Sequence, residues 1–180
     1  NLSPLSLLVL AACGGETTSG GGSGSTSSGA TPSIAVGGRV IKGPLSNALV
    51  GLDYDGDGIV DSATVRTGSD GSFSLSTTYT TYTVIAVTDG NTIDTSSGTV
   101  LSGVTLKAPK GAGVITPTTT LMEEGNLTAD QVATVLGLPD GVDPLTFNPF
   151  AAGVSVADAL AVEKASQQIM SVIKAFAGSA

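Results

Sequence analysis

The chain of 180 residues carries 15 acidic and 7 basic side chains, a net charge of −8, with no histidine, no tryptophan and a single cysteine, Cys13. That length holds one domain of ordinary size with appendages, and the acidic balance without any Lys/Arg run disfavours nucleic acid and anionic membrane surfaces as partners. Imidazole bases, disulfides and zinc-ligand clusters have no residues to build them, so no catalytic residue is assigned and the chain is expected not to be an enzyme.

The first element is an apolar run over residues 2–10, LSPLSLLVL. It has the length of a signal-peptide h-region and falls short of the ~20 residues a membrane span needs. It leads into Leu10-Ala11-Ala12-Cys13 and then Gly14-Gly15. This resembles the lipobox of bacterial lipoproteins, which implies a cut before Cys13 and lipidation of Cys13. Gly14 rather than Asp after the cysteine implies, by the same resemblance, an outer-membrane address. Residues 1–12 are then a signal-peptide remnant, and with no Met and no basic residue ahead of the run the sequence looks truncated at its start. The alternative is a buried apolar strand with a free cysteine. Residues 13–35 follow as a lipidated Cys and a Gly/Ser linker, a composition that cannot offset its own ordering entropy.

From Val36 the pattern becomes short runs between turn residues. Candidate strands are residues 38–42, 48–52, 63–66, 72–76, 82–88 and 100–107, separated by turn signals at Gly43-Pro44, Ser69-Asp70-Gly71 and Asp89-Gly90-Asn91. Roughly six or seven strands at this spacing, with no helical period among them, predict an antiparallel β-sandwich over residues 36–110.

Inside this region LDYDGDGIVD, from Leu52 to Asp61, packs four carboxylates into nine residues. Asp53, Asp55 and Asp57 take positions 1, 3 and 5 of the calcium-loop template, Gly58 the sharp turn at position 6, Ile59 the backbone carbonyl at position 7 and Asp61 position 9. These are hard oxygen donors of the kind Ca2+ selects. Position 12, a bidentate Glu in an EF-hand, is Thr64 here, which argues against an EF-hand and against tight binding. The alternative is a solvated Asp-Gly turn, since turns favour both residues.

The order Gly38-Arg39-Val40, Gly43-Pro44-Leu45-Ser46-Asn47-Ala48-Leu49-Val50, LDYDGDGIVD, then Thr67-Gly68-Ser69-Asp70-Gly71-Ser72-Phe73 resembles the carboxypeptidase-regulatory-like and SdrD B-like modules of bacterial surface proteins. The resemblance implies a small prealbumin-like or immunoglobulin-like sandwich acting as stalk, spacer or adhesive unit, often with bound calcium. It also implies metal ligands from elsewhere in the sandwich, for which Asp70 is a candidate. A competing reading is a carbohydrate-binding module in which Tyr54, Tyr79 or Tyr82 stacks on a sugar.

Residues 111–180 read as helical. Thr116-Pro117 opens a helix that Gly125 closes, with Leu121 and Met122 on its apolar side, and Thr128-Ala129-Asp130-Gln131 is a capping box for a second that Gly137 ends. This cap also explains the formal glycosylation triplet Asn126-Leu127-Thr128. A long helix is expected from after Ser155 to Ala177, its stripe formed by Ile169, Val172, Ile173 and Phe176. The expectation from sequence is therefore a calcium-stabilised, non-catalytic structural or adhesive module. It would be lipid-anchored in the bacterial cell envelope and would meet protein or glycan at the surface.

Overall fold

The computed structural model describes residues 32–177; the apolar run, Cys13 and nearly all of the linker lie outside the described residues. Among the described residues ten strands precede three helices, more strands than the six or seven expected, and the last strand lies beyond Lys110 in the stretch expected to be helical. The strands are β1 (Ile34–Val40), β2 (Leu45–Ser46), β3 (Leu49–Asp53), β4 (Val65–Arg66), β5 (Ser72–Thr77), β6 (Thr83–Val87), β7 (Ile93–Asp94), β8 (Thr99–Val100), β9 (Thr105–Pro109) and β10 (Val114–Ile115). The helices are α1 (Pro117–Gly125), α2 (Ala129–Leu136) and α3 (Val156–Ala177).

Three sheets result, ordered β4-β3-β6-β9, β10-β1-β5 and β2-β7-β8. All pairings are antiparallel except β1 with β10, where Arg39 lies beside Val114 and Val40 beside Ile115. β3 and β6 are the inner strands of the largest sheet, and Val50, Gly51 and Leu52 stay buried along with Val84, Ile85 and Ala86. A strand covered on both faces has no polar side to alternate with, which is why these two read as continuous apolar runs. β5 alternates instead: Phe73 is buried while Ser72 is half-buried and Ser74 exposed.

One core joins the elements. Val36 and Val40 of β1 and Phe73 of β5 pack with Val50, Leu52, Val84, Ala86, Leu106 and Ala108 of the larger sheet. Ala112, Ile115 and Met170 belong to the same core, so residues after Lys110 contribute a strand, a wall and a helix to it. At about 25 cal/mol per Å2 of apolar surface removed from water, such a core is the main source of stability.

The helix ends follow the sequence signals except at the end of α1, where Asn126 and not the expected Gly125 turns left-handed and Gly125 is the last helical residue. Thr116 caps α1 with Pro117 in its first turn, and Asn126 ends it in the left-handed conformation at φ 47°. Thr128 and Gln131 form the capping box of α2, and Gly137 closes it at φ 61°. The apolar face of α3 differs from the expected stripe. Val162, Ala165, Ser166, Ile169 and Met170 are buried with Ile173 packed on the core, whereas Val172 is 54 % exposed. Counting back in steps of three and four from Ile173 gives this face, and Val172 falls to its side; the side chain of Phe176 lies outside the described residues. Among the described residues, no helix is long and apolar enough to cross a membrane.

α1 is held in a way its apolar residues do not announce. Thr119 Oγ1 donates to the Lys107 carbonyl at 2.7 Å, and Thr120 Oγ1 accepts the Lys107 N–H at 2.9 Å. Lys107 belongs to β9, the outer strand of its sheet, so threonine hydroxyls cover an edge that would otherwise present unpaired backbone groups.

Candidate metal centre

The acidic loop leaves β3 at Asp53 and returns at its own base. Asp61 N–H and Ser62 N–H donate to the Leu52 carbonyl at 2.9 and 3.2 Å, and the Leu52 N–H donates to Ser62 Oγ at 2.8 Å. Gly51 permits this return: a Cβ there would lie 2.2 Å from Val60 Cγ1. Gly56 and Gly58 turn the chain at φ +82° and +84°, a region that costs other L-residues roughly 1–2 kcal/mol.

Within the loop each carboxylate is tied to backbone. Asp53, 3 % exposed, accepts N–H groups from Asp55 at 3.2 Å and Gly56 at 2.7 Å on Oδ1 and from Gly58 at 2.9 Å on Oδ2. Asp55 Oδ1 accepts from Asp57, Asp57 Oδ1 accepts from Ile59, and Asp61 Oδ2 accepts the Tyr54 N–H at 2.7 Å. A carboxylate offers about four lone-pair positions, so Asp53 keeps about one outside these bonds and the others keep more.

Asp53, Asp55 and Asp61 converge: each presents a carboxylate oxygen within 4.8 Å of the other two. Ca2+ holds oxygens at about 2.3–2.6 Å, so ligands on opposite sides of one ion stand about 5 Å apart. The trio therefore fits a divalent cation in donor type and in spacing. Asp57 is not among the converging three, and the Ile59 side chain is 66 % exposed. One cation already stands near: a Cβ on Gly58 would be 3.1 Å from Lys107 Nζ, and Lys107 pairs with Glu124 at 2.8 Å. A cleft of about 240 Å3 between loop and α1 is lined by Asp53, Thr83, Lys107, Glu123 and Glu124.

Asp70 is not part of the site. It pairs with Arg39, and its Oδ1 accepts the Ser72 N–H at 3.1 Å. These bonds, Ser72 first and Arg39 after, hold its carboxyl well below the usual range. The turn that carries Asp70 begins where Thr67 bonds to Ala48, at the opposite end of β3 from the acidic loop. Sequence distance gives no sign of this, because it follows from which end of β3 each connection leaves.

The tyrosines separate too. Tyr82 is buried, 8 % exposed, and is removed as a surface contact. Tyr54 and Tyr79 stack with ring centroids 4.0 Å apart and planes 16° from parallel.

Two further charge sites were not anticipated. Arg66 and Asp89 pair at 2.8 Å, and the Arg66 guanidinium lowers the Asp89 carboxyl to about 2. Lys42 and Asp94 pair at 3.1 Å almost out of water, their side chains 15 % and 4 % exposed. Burial pushes Asp94 up, but the Ser96 hydroxyl and Lys42 outweigh it and the net direction is down. Comparison of the chain with family models, with curated proteins and with solved structures finds no match in any of the three.

Proposed function

We propose that this chain is a non-catalytic structural or adhesive module of a bacterial cell-envelope lipoprotein, anchored through Cys13 and stabilised by Ca2+ in its Asp-rich loop. The observation that carries the calcium part is the convergence of Asp53, Asp55 and Asp61 within 4.8 Å. Three carboxylates so close repel one another, and a divalent cation turns that repulsion into cross-links between the start and end of one loop. The Ile59 carbonyl and water are the natural further oxygens. With three carboxylates, no Glu at Thr64 and Lys107 nearby, affinity belongs to the weak class of extracellular modules, Kd about 10⁻⁴ to 10⁻³ M. Such affinity suits a strut in a compartment where calcium is abundant and would fail inside a cell.

The address rests on the LSPLSLLVL run, Ala11-Ala12-Cys13 and the Gly/Ser linker. More than one acyl chain on Cys13 would give stable anchoring, each buried methylene adding about 0.8 kcal/mol. The strand order and core support a sandwich of the prealbumin-like or immunoglobulin-like kind, with the loop as a brace on one end.

Tyr54 lies next to Asp53 and supplies the test. Tb3+ added to the full chain is expected to luminesce through Tyr54, with the signal displaced by millimolar Ca2+ and lost in Asp55→Asn/Asp61→Asn. Luminescence that is absent, or unchanged in the double variant, would leave the loop a hydrogen-bonded turn.

A further inference from the structure

Beside the loop, above β5, the surface holds an aromatic ring that is exposed and yet fixed. Tyr54 packs partly on the core, Tyr79 stacks on Tyr54, and Tyr79 remains 56 % exposed. Thr77, itself 5 % exposed, pins both: its hydroxyl donates to Tyr54 Oη and accepts the Tyr79 N–H, each at 3.1 Å. The stack thus has an inner ring against protein and an outer ring with a face toward water. Hydrophobic folding does not require a flat ring in that position. Such a ring offers a flat platform to a ligand with an apolar face and, already held by Tyr54 and Thr77, loses little entropy on binding one.

Two open depressions flank the stack and share Tyr54 and Ser76. One, about 590 Å3, is lined by Tyr54, Asp61, Ser62, Ser74 and Ser76 together with apolar side chains up to the size of Leu75. The other, about 260 Å3, brings Thr78 and Tyr79 to the same rim. The first lies within the roughly 300–1,000 Å3 usual for small-molecule sites. Among the described residues lining them there is no Lys or Arg, whereas hydroxyls and one carboxylate abound. We propose that this groove binds a neutral oligosaccharide. The C–H face of one pyranose ring lies on Tyr79, and hydroxyls of that ring and its neighbours bond to Ser76 at the shared rim and to Ser62 and Ser74 beyond it. An anionic glycan would meet Asp61 and the net charge of −8 with no cation to receive it.

Asp61 lines the groove and belongs to the acidic trio as well, but Tyr79, Thr77, Ser62, Ser74 and Ser76 do not, so the inference does not rest on the calcium reading. Affinity electrophoresis tests it, with the full chain run through native gels cast with a soluble β-glucan, a galactomannan or dextran, beside alginate as the acidic polymer. At least one neutral polysaccharide is expected to retard the chain in EDTA and in CaCl2 alike. Tyr79→Phe keeps the retardation, and Tyr79→Ala loses at least tenfold in association constant with its circular dichroism unchanged. Should Tyr79→Ala unfold, Ser74→Gln, at an exposed position, fills the groove and must weaken binding likewise. Retardation by none of the neutral polymers, by alginate alone, or undiminished in the variants would overturn the proposal.

Discussion

Three successive threonines do three different things in α1. Thr119 closes the capping box with Thr116 and donates to Lys107; Thr120 accepts from Lys107 and donates to the Thr116 carbonyl; Thr118 is 3 % exposed and its hydroxyl has no partner among the described residues. An unpartnered buried hydroxyl forgoes its hydration without return, whereas a partnered one leaves orphans when removed. Thr119→Val is therefore expected to lower stability by about 1–3 kcal/mol, and Thr118→Val, of the same shape, to leave it unchanged or raise it. Urea unfolding of the two variants checks this; equal losses would mean that the hydroxyl network does not hold α1. The repeated Thr118-Thr119-Thr120 reads in sequence only as a helix start, because the partner of Thr119 and Thr120 is a strand twelve or so residues back.

At the scale of elements, α3 meets the sheet through charge as well as through Met170 and Ile173. Glu163 of α3 is raised above its ordinary 4.5, first by burial, with Asp94 adding to the rise and Lys42 opposing it. A raised carboxyl binds more protons in the folded chain than in the unfolded one, so it subtracts stability as pH climbs above 4.5 through its folded value. Glu163→Gln should then melt higher than the parent at pH 7, with the gap closing toward pH 4. A gap that does not shrink on acidification would show that Glu163 is not held this way. Asp89 and Asp94 act with the opposite sign. Their lowered values give stability that is present above the ordinary 3.8 and lost as pH falls through the folded value, about 2 for Asp89. Acid melting curves should therefore fall between about pH 4 and pH 2. None of these pairs is visible in sequence: Lys42 and Asp94 are 52 residues apart.

For the whole molecule, what could be read ahead was what is local. Alternation in Ser72–Thr77, the caps at Thr116, Thr128 and Gly137, and the acidic spacing of Asp53 to Asp61 each lie within one window of chain. β2, β7, β8 and β10 have two residues each, too few to show a period of two, and they form because longer elements hold them in place. The template spacing likewise names four carboxylates, but only the closure of the loop on Leu52 determines that Asp61 meets Asp53 and Asp55 while Asp57 does not. That closure gathers three of the four carboxylates into one cluster, and a cation bound there would stabilise the fold. Thermal unfolding of the full chain in EDTA and in about 10 mM CaCl2 tests it. With a Kd of about 1 mM the native state gains about 1.4 kcal/mol, a rise of a few degrees in Tm, and Asp55→Asn/Asp61→Asn abolishes the rise. A midpoint identical with and without calcium, or a rise that persists in the double variant, would contradict a calcium brace at this loop.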